Sequence, residues 1–595
     1  MVRGFTVFFQ QVVFLCAIVL TILTSCSKKD GEYYVDMYAT NDLHGRFFDS
    51  LYVDSQAHEY SLAHVSEWMK LVRLAAGENN VMLIDLGDAL QGDNAVYYAN
   101  YIDTSKDGSK HLFTRIAEYI GYDALVVGNH DIEAGHPVYD RIKNETEIPY
   151  LAANAVDIAT GKSYFKPYTI LKKCGLKIAV IGMTNPNIKK WLGEELWSGM
   201  DFLPIEALAD SLIQKVKAEE KPDITILAIH AGLGDGSAEN IENPARYLAA
   251  NLKGVDIIFA SHDHQTACEK IWNGTDSVLV MEGSNRAKFL SNVTAVVEYK
   301  DGQLSSKKFT GRLIPVEKFS PDTSYIKEFR KDFLTAKNFT NQEIGELEKD
   351  IFTADAFFGP SDYMNLIHTV QLASSGADIS LAAPLTSNGK IGAGKLKYHD
   401  LFTIYPFENQ LYVVSLTGDQ IRKYLEYSYE NWISTMDSAA DHIMKIGYDQ
   451  KRGRYSFKNM TFNFDSGAGF DYVVDVSKPF GERIIIKSMA DGTSFDLDRS
   501  YKVALSSYRA NGGGDLLTEG AGIPKEGLSE IVIEKYPDIR SLVFDYYKNL
   551  QQSKAGNDEG ASIKGIEATW KFVPEKFAAP ALERDRKLLF GATQK

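Results

Sequence analysis

Short apolar runs, many of them rich in β-branched residues, recur through the first half of the chain. Their length and composition are typical of strands that are buried on both faces. They occupy residues 33–38, 81–86, 124–127, 178–183, 224–229, 255–260 and 278–281. Stretches with the apolar spacing of amphipathic helices separate several of these runs, at 63–75, 111–119 and 205–219. The alternation predicts an α/β domain that extends to about Val316.

The pattern changes after Val316. A polar stretch rich in Lys and Glu, 317–350, predicts a helix that either links two domains or packs on the first core. From 351 to 550, helix-like and strand-like patterns are mixed, which predicts a second, α+β domain. The last segment, 551–595, opens with Ser, Gly and Asp and is expected to be a surface extension.

The N-terminus has the pattern of an export signal. Arg3 precedes an apolar stretch of twelve residues, 12–23, which is too short to span a bilayer. The following Leu-Thr-Ser-Cys resembles a bacterial lipobox, which implies that residues 1–25 are cleaved and that Cys26 is lipidated. Ser27 resembles the residue that permits export to the outer membrane. We therefore expect a lipid-anchored protein of the bacterial cell envelope, either periplasmic or exposed at the surface.

Composition narrows the function. The 595 residues are 45% hydrophobic and carry a formal net charge of −15, which indicates a globular protein of several domains. An acidic chain lacks the basic field that binding of a nucleic-acid polymer requires. Four cysteines are too few for a disulfide framework. Nothing in the sequence indicates a protein partner.

Polar side chains follow the predicted strands of the first half. Five of the twelve histidines lie directly after apolar runs. In an open α/β sheet such loops meet at one edge. The candidate metal ligands on these loops are Asp42, His44, Asp88, Asn129, His230, His262 and His264. They exceed what one ion accepts, so we expect two divalent ions bridged by a carboxylate, and the donor types do not separate Zn, Mn, Fe, Mg and Co.

In this order, the motifs Asn41–Gly45, Gly87-Asp88, Gly128–Asp131, His230–Gly232 and His262–His264 resemble those of the calcineurin-like metallophosphoesterases. More narrowly, the chain resembles the two-domain 5′-nucleotidases and 2′,3′-cyclic-nucleotide 2′-phosphodiesterase/3′-nucleotidases. The resemblance implies a four-layer β-sandwich flanked by helices over 26–316, followed after a linker by a substrate-binding domain. It assigns Asp42, His44, Asp88 and His264 to one metal and Asp88, Asn129, His230 and His262 to the other.

The resemblance also implies catalytic roles. His130 would lie next to the transferring phosphoryl group, which a metal-bound hydroxide would attack. Many relatives have an Asp three positions later to orient this ring, and here Glu133 takes that place. Asp131 is a further candidate acid–base residue. Ser261 stands where many relatives have Gly.

The second domain is expected to select the substrate. Phe407 and Asn409 resemble the family's stacking and hydrogen-bonding residues for the base, and the loop with Tyr508 and Asp515 resembles the second side of that pocket. Stacking of this kind tolerates any base. The Asn-Gly-Gly-Gly-Ile-Arg loop of 5′-nucleotidases is missing, so Arg509 becomes the candidate phosphate-binding cation. The sequence leaves the subtype open.

The expected function is therefore metal-dependent hydrolysis of extracytoplasmic nucleotides, which releases nucleoside and phosphate. Two alternatives remain. One is a metallophosphoesterase that acts on a non-nucleotide ester, and the other is an inactive surface lipoprotein that binds nucleotides.

Overall fold

The computed structural model describes residues 28–52, 56–103, 108–407, 409–450, 453–555 and 566–591. The described chain divides into two compact units. The first consists of residues 28–51, 56–186 and 199–330, and the second of residues 52, 187–198 and the described chain from 331 onward. The predicted signal segment 1–25 and Cys26 lie outside the described residues.

Two six-stranded sheets form the centre of the first unit. Their strands lie in the orders β14-β13-β1-β2-β3-β4 and β11-β12-β10-β9-β7-β6, and β5 pairs with β8 in a separate ribbon. The strands are β1 (Gly31–Thr40), β2 (Val81–Asp85), β3 (Ala124–Val126), β4 (Tyr150–Leu151), β5 (Ala155–Asp157), β6 (Tyr168–Lys173), β7 (Leu176–Thr184), β8 (Met200–Phe202), β9 (Ile224–His230), β10 (Ile257–Phe259), β11 (Thr266–Trp272), β12 (Ser277–Gly283), β13 (Phe289–Lys300) and β14 (Gln303–Pro315).

The two sheets pack face to face, and helices cover their outer faces. In β7, Ile178 and Val180 join the core shared with the other sheet, whereas Ala179 and Ile181 pack against helices, as the two-residue period of a strand requires. This confirms the predicted four-layer sandwich. The α-helices of the unit are Leu62–Ala76, Asn94–Tyr97, Leu112–Ile120, Asn129–Glu133, His136–Glu145, Ile205–Glu220, Ala245–Asn251 and Thr323–Glu328.

The strands that carry the predicted motifs are parallel within each sheet. Strands β1 to β4 run in one direction in the first sheet, and β7, β9, β10 and β12 run in one direction in the second. Their carboxyl ends therefore lie at a common edge of each sheet, where the polar loops follow them.

The second unit is α+β, as predicted, around a five-stranded sheet of order β23-β17-β26-β20-β27. Its core is aromatic: the fully buried Trp432 stacks on Tyr429 at 5.0 Å and on Phe464 at 5.6 Å. The strands are β15 (Glu343–Leu347), β16 (Ile351–Phe352), β17 (Ile379–Ala382), β18 (Lys390–Ile391), β19 (Gly394–Lys397), β20 (Gln410–Thr417), β21 (Ile446–Asp449), β22 (Arg454–Phe457), β23 (Ser466–Ala468), β24 (Phe470–Asp475), β25 (Ile484–Met489), β26 (Ser500–Ser506), β27 (Val532–Asp538) and β28 (Lys571–Val573). The α-helices are Ile188–Trp191, Glu194–Trp197, Arg330–Thr340 (whose first residue belongs to the first unit), Asp362–Ser375, Asp400–Ile404, Gly418–Trp432, Ser507–Ala510, Ile539–Ala555 and Glu575–Phe590.

The expectation of a surface extension after residue 550 is wrong for the described part of that segment. Strand β28 pairs with β24, and Trp570 is 2% exposed with its ring 5.6 Å from that of Tyr429. The buried Asp585 accepts a backbone hydrogen bond from Met444. Because the segment opens with polar residues, the sequence analysis missed the strand and the helix that complete the core.

Two further departures concern the boundaries. The stretch predicted as a helix over 317–350 contains helices Thr323–Glu328 and Arg330–Thr340, but then forms β15, which pairs with β19. Residues 187–198, expected in the first domain, belong to the second unit, where Glu195 accepts hydrogen bonds from Tyr412 at 2.8 Å and Lys535 at 3.0 Å. In the part of the chain described, no helix is long and apolar enough to cross a membrane.

Candidate active site

The loops after β1 and β2 are joined by backbone hydrogen bonds. The amide of Asp42 donates to the carbonyl of Gly87 at 3.1 Å, and the amide of His44 donates to the carbonyl of Asp88 at 2.9 Å. The two loops therefore present three of the predicted ligands as one rigid surface.

Most of the predicted ligands have an unusual backbone conformation. Non-glycine residues rarely adopt a positive φ, and those that do cluster at functional sites. The predicted ligands in this conformation are Asp42 (φ 47°), His44 (45°), Asp88 (57°), His262 (87°) and His264 (59°). No feature of the sequence indicated this strain. Gly128 is also constrained, since a Cβ there would lie 2.1 Å from Asp88 Oδ1.

Asp42, His44 and His264 form the first group that could hold a metal ion, with ligand atoms within 4.8 Å of one another. Nε2 of His44 lies 3.1 Å from Nε2 of His264, which in turn lies 3.6 Å from Asp42 Oδ1. Burial lowers the pKa of His44 to about 4, so its ring is neutral at pH 7 and can act as a ligand.

Asp88, His230 and His262 form the second group. Asn129 joins them, because its Oδ1 lies 3.0 Å from His230 Nε2 and 3.0 Å from His262 Nδ1. His230 is fully buried and its Nδ1 lies 2.8 Å from the carbonyl of Leu86, so that Nδ1 carries the hydrogen and Nε2 faces the group.

Asp88 affects the pKa values of histidines in both ligand groups, as expected of a carboxylate that bridges two ions. Burial alone would lower the pKa of His230, but the Asp88 carboxylate, 3.1 Å away, outweighs burial and raises that pKa to about 9. Asp88 also acts on the pKa of His44 in the first group. Its own pKa stays well below the usual range, because the neighbouring His230 and His130 outweigh the effect of burial. A cation at the second group would take the place of the extra proton that the raised pKa gives to His230.

His130 lies beside both groups. Its backbone amide donates to Asp88 Oδ1 at 2.8 Å, and its ring packs edge-on to His44 at 5.5 Å. The buried Glu133 lies 2.5 Å from His130 Nδ1, so that the structure places Glu133 where the sequence analysis expected a ring-orienting carboxylate. This contact orients the ring with Nδ1 toward Glu133.

Asp131 does not face the site. Its buried carboxylate accepts four backbone hydrogen bonds, from Gly128 at 2.8 Å and from Asp88, Ala89 and Leu90 at 3.1 Å. The expected catalytic role is therefore replaced by a structural one: Asp131 joins the loops after β2 and β3. The sequence could not show this, because a carboxylate next to a candidate catalytic His is equally consistent with an acid–base role and with a structural one.

The expected base-binding residues lie in the second unit. Phe407 and Asn409 are half-buried, and Asn409 Nδ2 lies 3.5 Å from the Tyr405 hydroxyl. Arg540 holds this loop by donating to the carbonyls of Tyr405, Pro406 and Phe407, a role that the sequence analysis missed. Tyr508 is half-buried and packs edge-on to Phe462, and Asp515 lines a cavity of about 400 Å³.

Arg509 is not the free cation that the sequence suggested. It is 3% exposed, and its guanidinium pairs with the buried Asp465 through Nε at 3.2 Å and Nη2 at 2.6 Å. Its other hydrogens reach Asn463 Oδ1 and the carbonyls of Gly513 and Phe462. Because all the donors of the guanidinium are used, none remains for a phosphate.

The run of three glycines before Asp515 is also explained by contacts within the protein. A Cβ on Gly513 would lie 2.5 Å from the Tyr508 ring, and one on Gly514 would lie 2.4 Å from Arg509 Nη1. The run therefore allows close approach to protein side chains, whereas the sequence suggested approach to a ligand.

Two packed sheets with Asp, Asn and His ligands at their carboxyl edges define a metal-dependent phosphoesterase. The family model of the calcineurin-like phosphoesterases matches residues 37–266, and that of the 5′-nucleotidase C-terminal domain matches residues 343–519. The chain belongs to the two-domain metallophosphoesterase family that contains the 5′-nucleotidases and 2′,3′-cyclic-nucleotide phosphodiesterases, and it is a phosphoric ester hydrolase.

Named relatives span both branches. A 5′-nucleotidase of Vibrio cholerae is 26% identical, over 83% of this chain and 98% of its own length. A 2′,3′-cyclic-nucleotide 2′-phosphodiesterase/3′-nucleotidase of Haemophilus influenzae is 24% identical, over 92% and 89%. The trifunctional nucleotide phosphoesterase YfkN of Bacillus subtilis is 24% identical over 90% of this chain, which spans 39% of that protein. A Staphylococcus aureus structure described as a 5′-nucleotidase shares the fold, with a TM-score of 0.71 at 20% identity over 91% and 100% of the two chains.

Proposed function

We propose that the protein is an extracytoplasmic nucleotidase that hydrolyses 5′-nucleotides, or 2′,3′-cyclic nucleotides and their 3′ products, to nucleoside and phosphate. The observation that carries the proposal is the presence of two ligand groups in one unit, with His130 in contact with Asp88 of one group and His44 of the other. The names of the relatives point to nucleotides as the substrate class.

The donors of the site fit two divalent ions of borderline or hard character, such as Zn, Mn, Fe, Mg or Co. When bound, such ions stabilise charge on the phosphoryl oxygens and activate a water molecule as nucleophile. One ion would be held by Asp42, His44, Asp88 and His264, and the other by Asp88, Asn129, His230 and His262.

In this proposal His130 assists the leaving oxygen. Glu133 accepts a hydrogen bond from Nδ1 and favours the charged imidazolium, whose Nε2 hydrogen then faces the phosphoryl group. Glu133 is buried, so this hydrogen bond is shielded from water and orients the ring. The chain thus supplies both the charge and the proton that the departing ribose oxygen needs.

We assign base recognition to Phe407, Asn409, Tyr508 and Asp515 of the second unit, where stacking on an aromatic ring contributes about 1 to 3 kcal/mol per base. We propose that residues 1–25 are a signal, that the first compact unit is the catalytic domain, and that the second, which includes residues 187–198 and the described chain after 550, is the substrate-binding domain. Lipidation of Cys26 would hold the enzyme in the cell envelope.

Phosphate release tests the proposal. The protein, purified from Ser27 onward and supplied with Mn²⁺ or Zn²⁺, is incubated with 5′-AMP, 3′-AMP and 2′,3′-cyclic AMP. We expect turnover of at least one substrate and a loss of about 10²- to 10⁴-fold in His130→Ala.

The matched control is His136→Ala, because His136 pairs with Asp140 outside the two ligand groups. It should retain full activity. Cleavage of aryl phosphates without cleavage of any nucleotide would refute the assignment of the substrate, and equal activity of both variants would refute the role of His130.

A further inference from the structure

Ser261 is fully buried and directly precedes the proposed ligand His262. Its hydroxyl donates a hydrogen bond of 2.6 Å to Oδ2 of Asp42. The same oxygen accepts hydrogen bonds from Asn41 Nδ2 at 2.9 Å and from the backbone amide of His262 at 3.1 Å. Three donors therefore converge on one oxygen of a proposed metal ligand.

The two oxygens of Asp42 have different surroundings as a result. A carboxylate oxygen offers about two lone pairs, and those of Oδ2 are occupied by these donors. Oδ1 receives only the weaker, 3.2 Å branch of the His262 amide and is the oxygen near His264 Nε2. An ion between Asp42, His44 and His264 would meet Oδ1, while Oδ2 points to donors that repel a cation.

We propose that Ser261 is a positioning residue for the metal centre: its hydroxyl holds Asp42 so that only Oδ1 is presented to the ion. This inference rests on the proposed metal centre. It also gives a physical meaning to the serine at a position where the family resemblance leads us to expect glycine, since a glycine would leave Oδ2 with one donor fewer.

The expected effect follows from the cost of orienting a ligand. Residues that hydrogen-bond to metal ligands typically change metal affinity by about 10- to 100-fold when they are removed. Without the hydroxyl, Asp42 loses the shortest of the three hydrogen bonds that hold Oδ2 and is oriented less firmly, so that the first ion would bind about tenfold more weakly and with an altered coordination geometry. The ion at Asp88, His230 and His262 should be unaffected.

The experiment compares Ser261→Gly and Ser261→Thr with the wild-type protein. Ser66→Ala is the matched control, because Ser66 Oγ also donates at 2.6 Å to a buried carboxylate, Asp322 Oδ2, in the same unit but outside the ligand groups. Metal-free protein is titrated with Mn²⁺ by calorimetry, and the visible absorption of the Co²⁺-loaded protein reports coordination geometry. Thermal unfolding of each metal-free protein reports stability.

We expect two binding events in the wild type. In Ser261→Gly, one of them should weaken by about tenfold and the Co²⁺ spectrum should change, whereas Ser261→Thr should restore both the affinity and the spectrum. Ser66→Ala should change neither. Wild-type protein that binds no ion would refute the metal centre itself. Unchanged affinity and spectrum in Ser261→Gly would refute the role of Ser261. Equal weakening of both ions, together with a lower unfolding temperature of the metal-free variant, would also refute it, since that result indicates a damaged fold.

Discussion

Removal of the Arg509 guanidinium should destabilise the second unit and leave the chemistry of the first unit intact. The side chain is 3% exposed, its partner Asp465 is 1% exposed, and Tyr424 donates a further hydrogen bond to the same carboxylate at 2.5 Å. In Arg509→Ala, the Asp465 charge would remain buried without its cation. Breaking a buried ion pair in this way costs about 3 to 5 kcal/mol.

A pair in the same unit that is only partly buried provides the comparison. Arg422 lies 2.9 Å from Asp419 on the surface of helix Gly418–Trp432, and surface pairs of this kind contribute at most about 1 kcal/mol. Arg422→Ala should therefore have little effect. In the double variant Arg509→Met with Asp465→Leu, the charge is removed along with its partner, and most of the lost stability should return.

The assay is urea unfolding of the three variants and the wild type, followed by steady-state kinetics on the nucleotide that the wild type prefers. We expect the free energy of unfolding to fall by about 3 to 5 kcal/mol in Arg509→Ala, with kcat per folded molecule close to that of the wild type. The reasoning fails if Arg509→Ala unfolds as the wild type does but shows a large increase in KM, because that result would make Arg509 a substrate ligand after all.

Two further predictions concern Glu133 and His368. Glu133→Gln should reduce kcat by about a hundredfold with little change in KM, since the neutral amide no longer favours the charged His130 ring. Steady-state kinetics check this against Asp140→Asn, which changes a half-buried carboxylate that pairs with His136 outside the ligand groups and should leave kcat unchanged. An equal loss in both variants would contradict the prediction. Burial lowers the pKa of His368 to about 3, well below the 6.5 of an exposed histidine. The folded state therefore resists protonation, so that the contribution of this residue is complete above pH 6.5 and is lost by about 1.4 kcal/mol per pH unit as the pH falls toward 3. Urea unfolding between pH 7 and 4.5 should show a steeper loss in the wild type than in His368→Asn, and equal slopes would count against burial as the cause.

The apolar runs were sufficient to predict seven of the fourteen strands described in the first unit. The run at 178–183 is observed as Leu176–Thr184, and the run at 224–229 as Ile224–His230, because strands buried on both faces leave a continuous apolar signal. The described C-terminal segment was not predicted, since its strand Lys571–Val573 has only three residues and follows a polar stretch. Its burial depends on Trp570, whose neighbours come from distant parts of the chain.

The types of residue in the candidate site were predictable from the sequence, but the role of each residue was less so. Residue types after strands indicated which side chains could meet, because parallel strands end at one edge. The same residue types do not show where a buried charge finds its partner. Asp131 reads as catalytic until its four backbone donors are seen, and Arg509 reads as a phosphate ligand until Asp465 is found beside it. The bonds from Asp131 to the loop after β2, and the pairing of Arg509 with Asp465, join segments that are far apart in sequence.

Because most of the proposed ligands have a strained backbone, hydrogen bonds between the surrounding loops are needed to keep them in this conformation. A residue held in a sparsely populated backbone region costs about 1 to 3 kcal/mol, and five of the proposed ligands have positive φ. Bonds between loops offset that cost: Asp131 ties the loops after β2 and β3, and the amides of Asp42 and His44 tie the loop after β1 to that after β2. These bonds involve protein groups alone. Folding of the protein therefore fixes the ligand geometry, and an ion that enters the site need not order the loops itself.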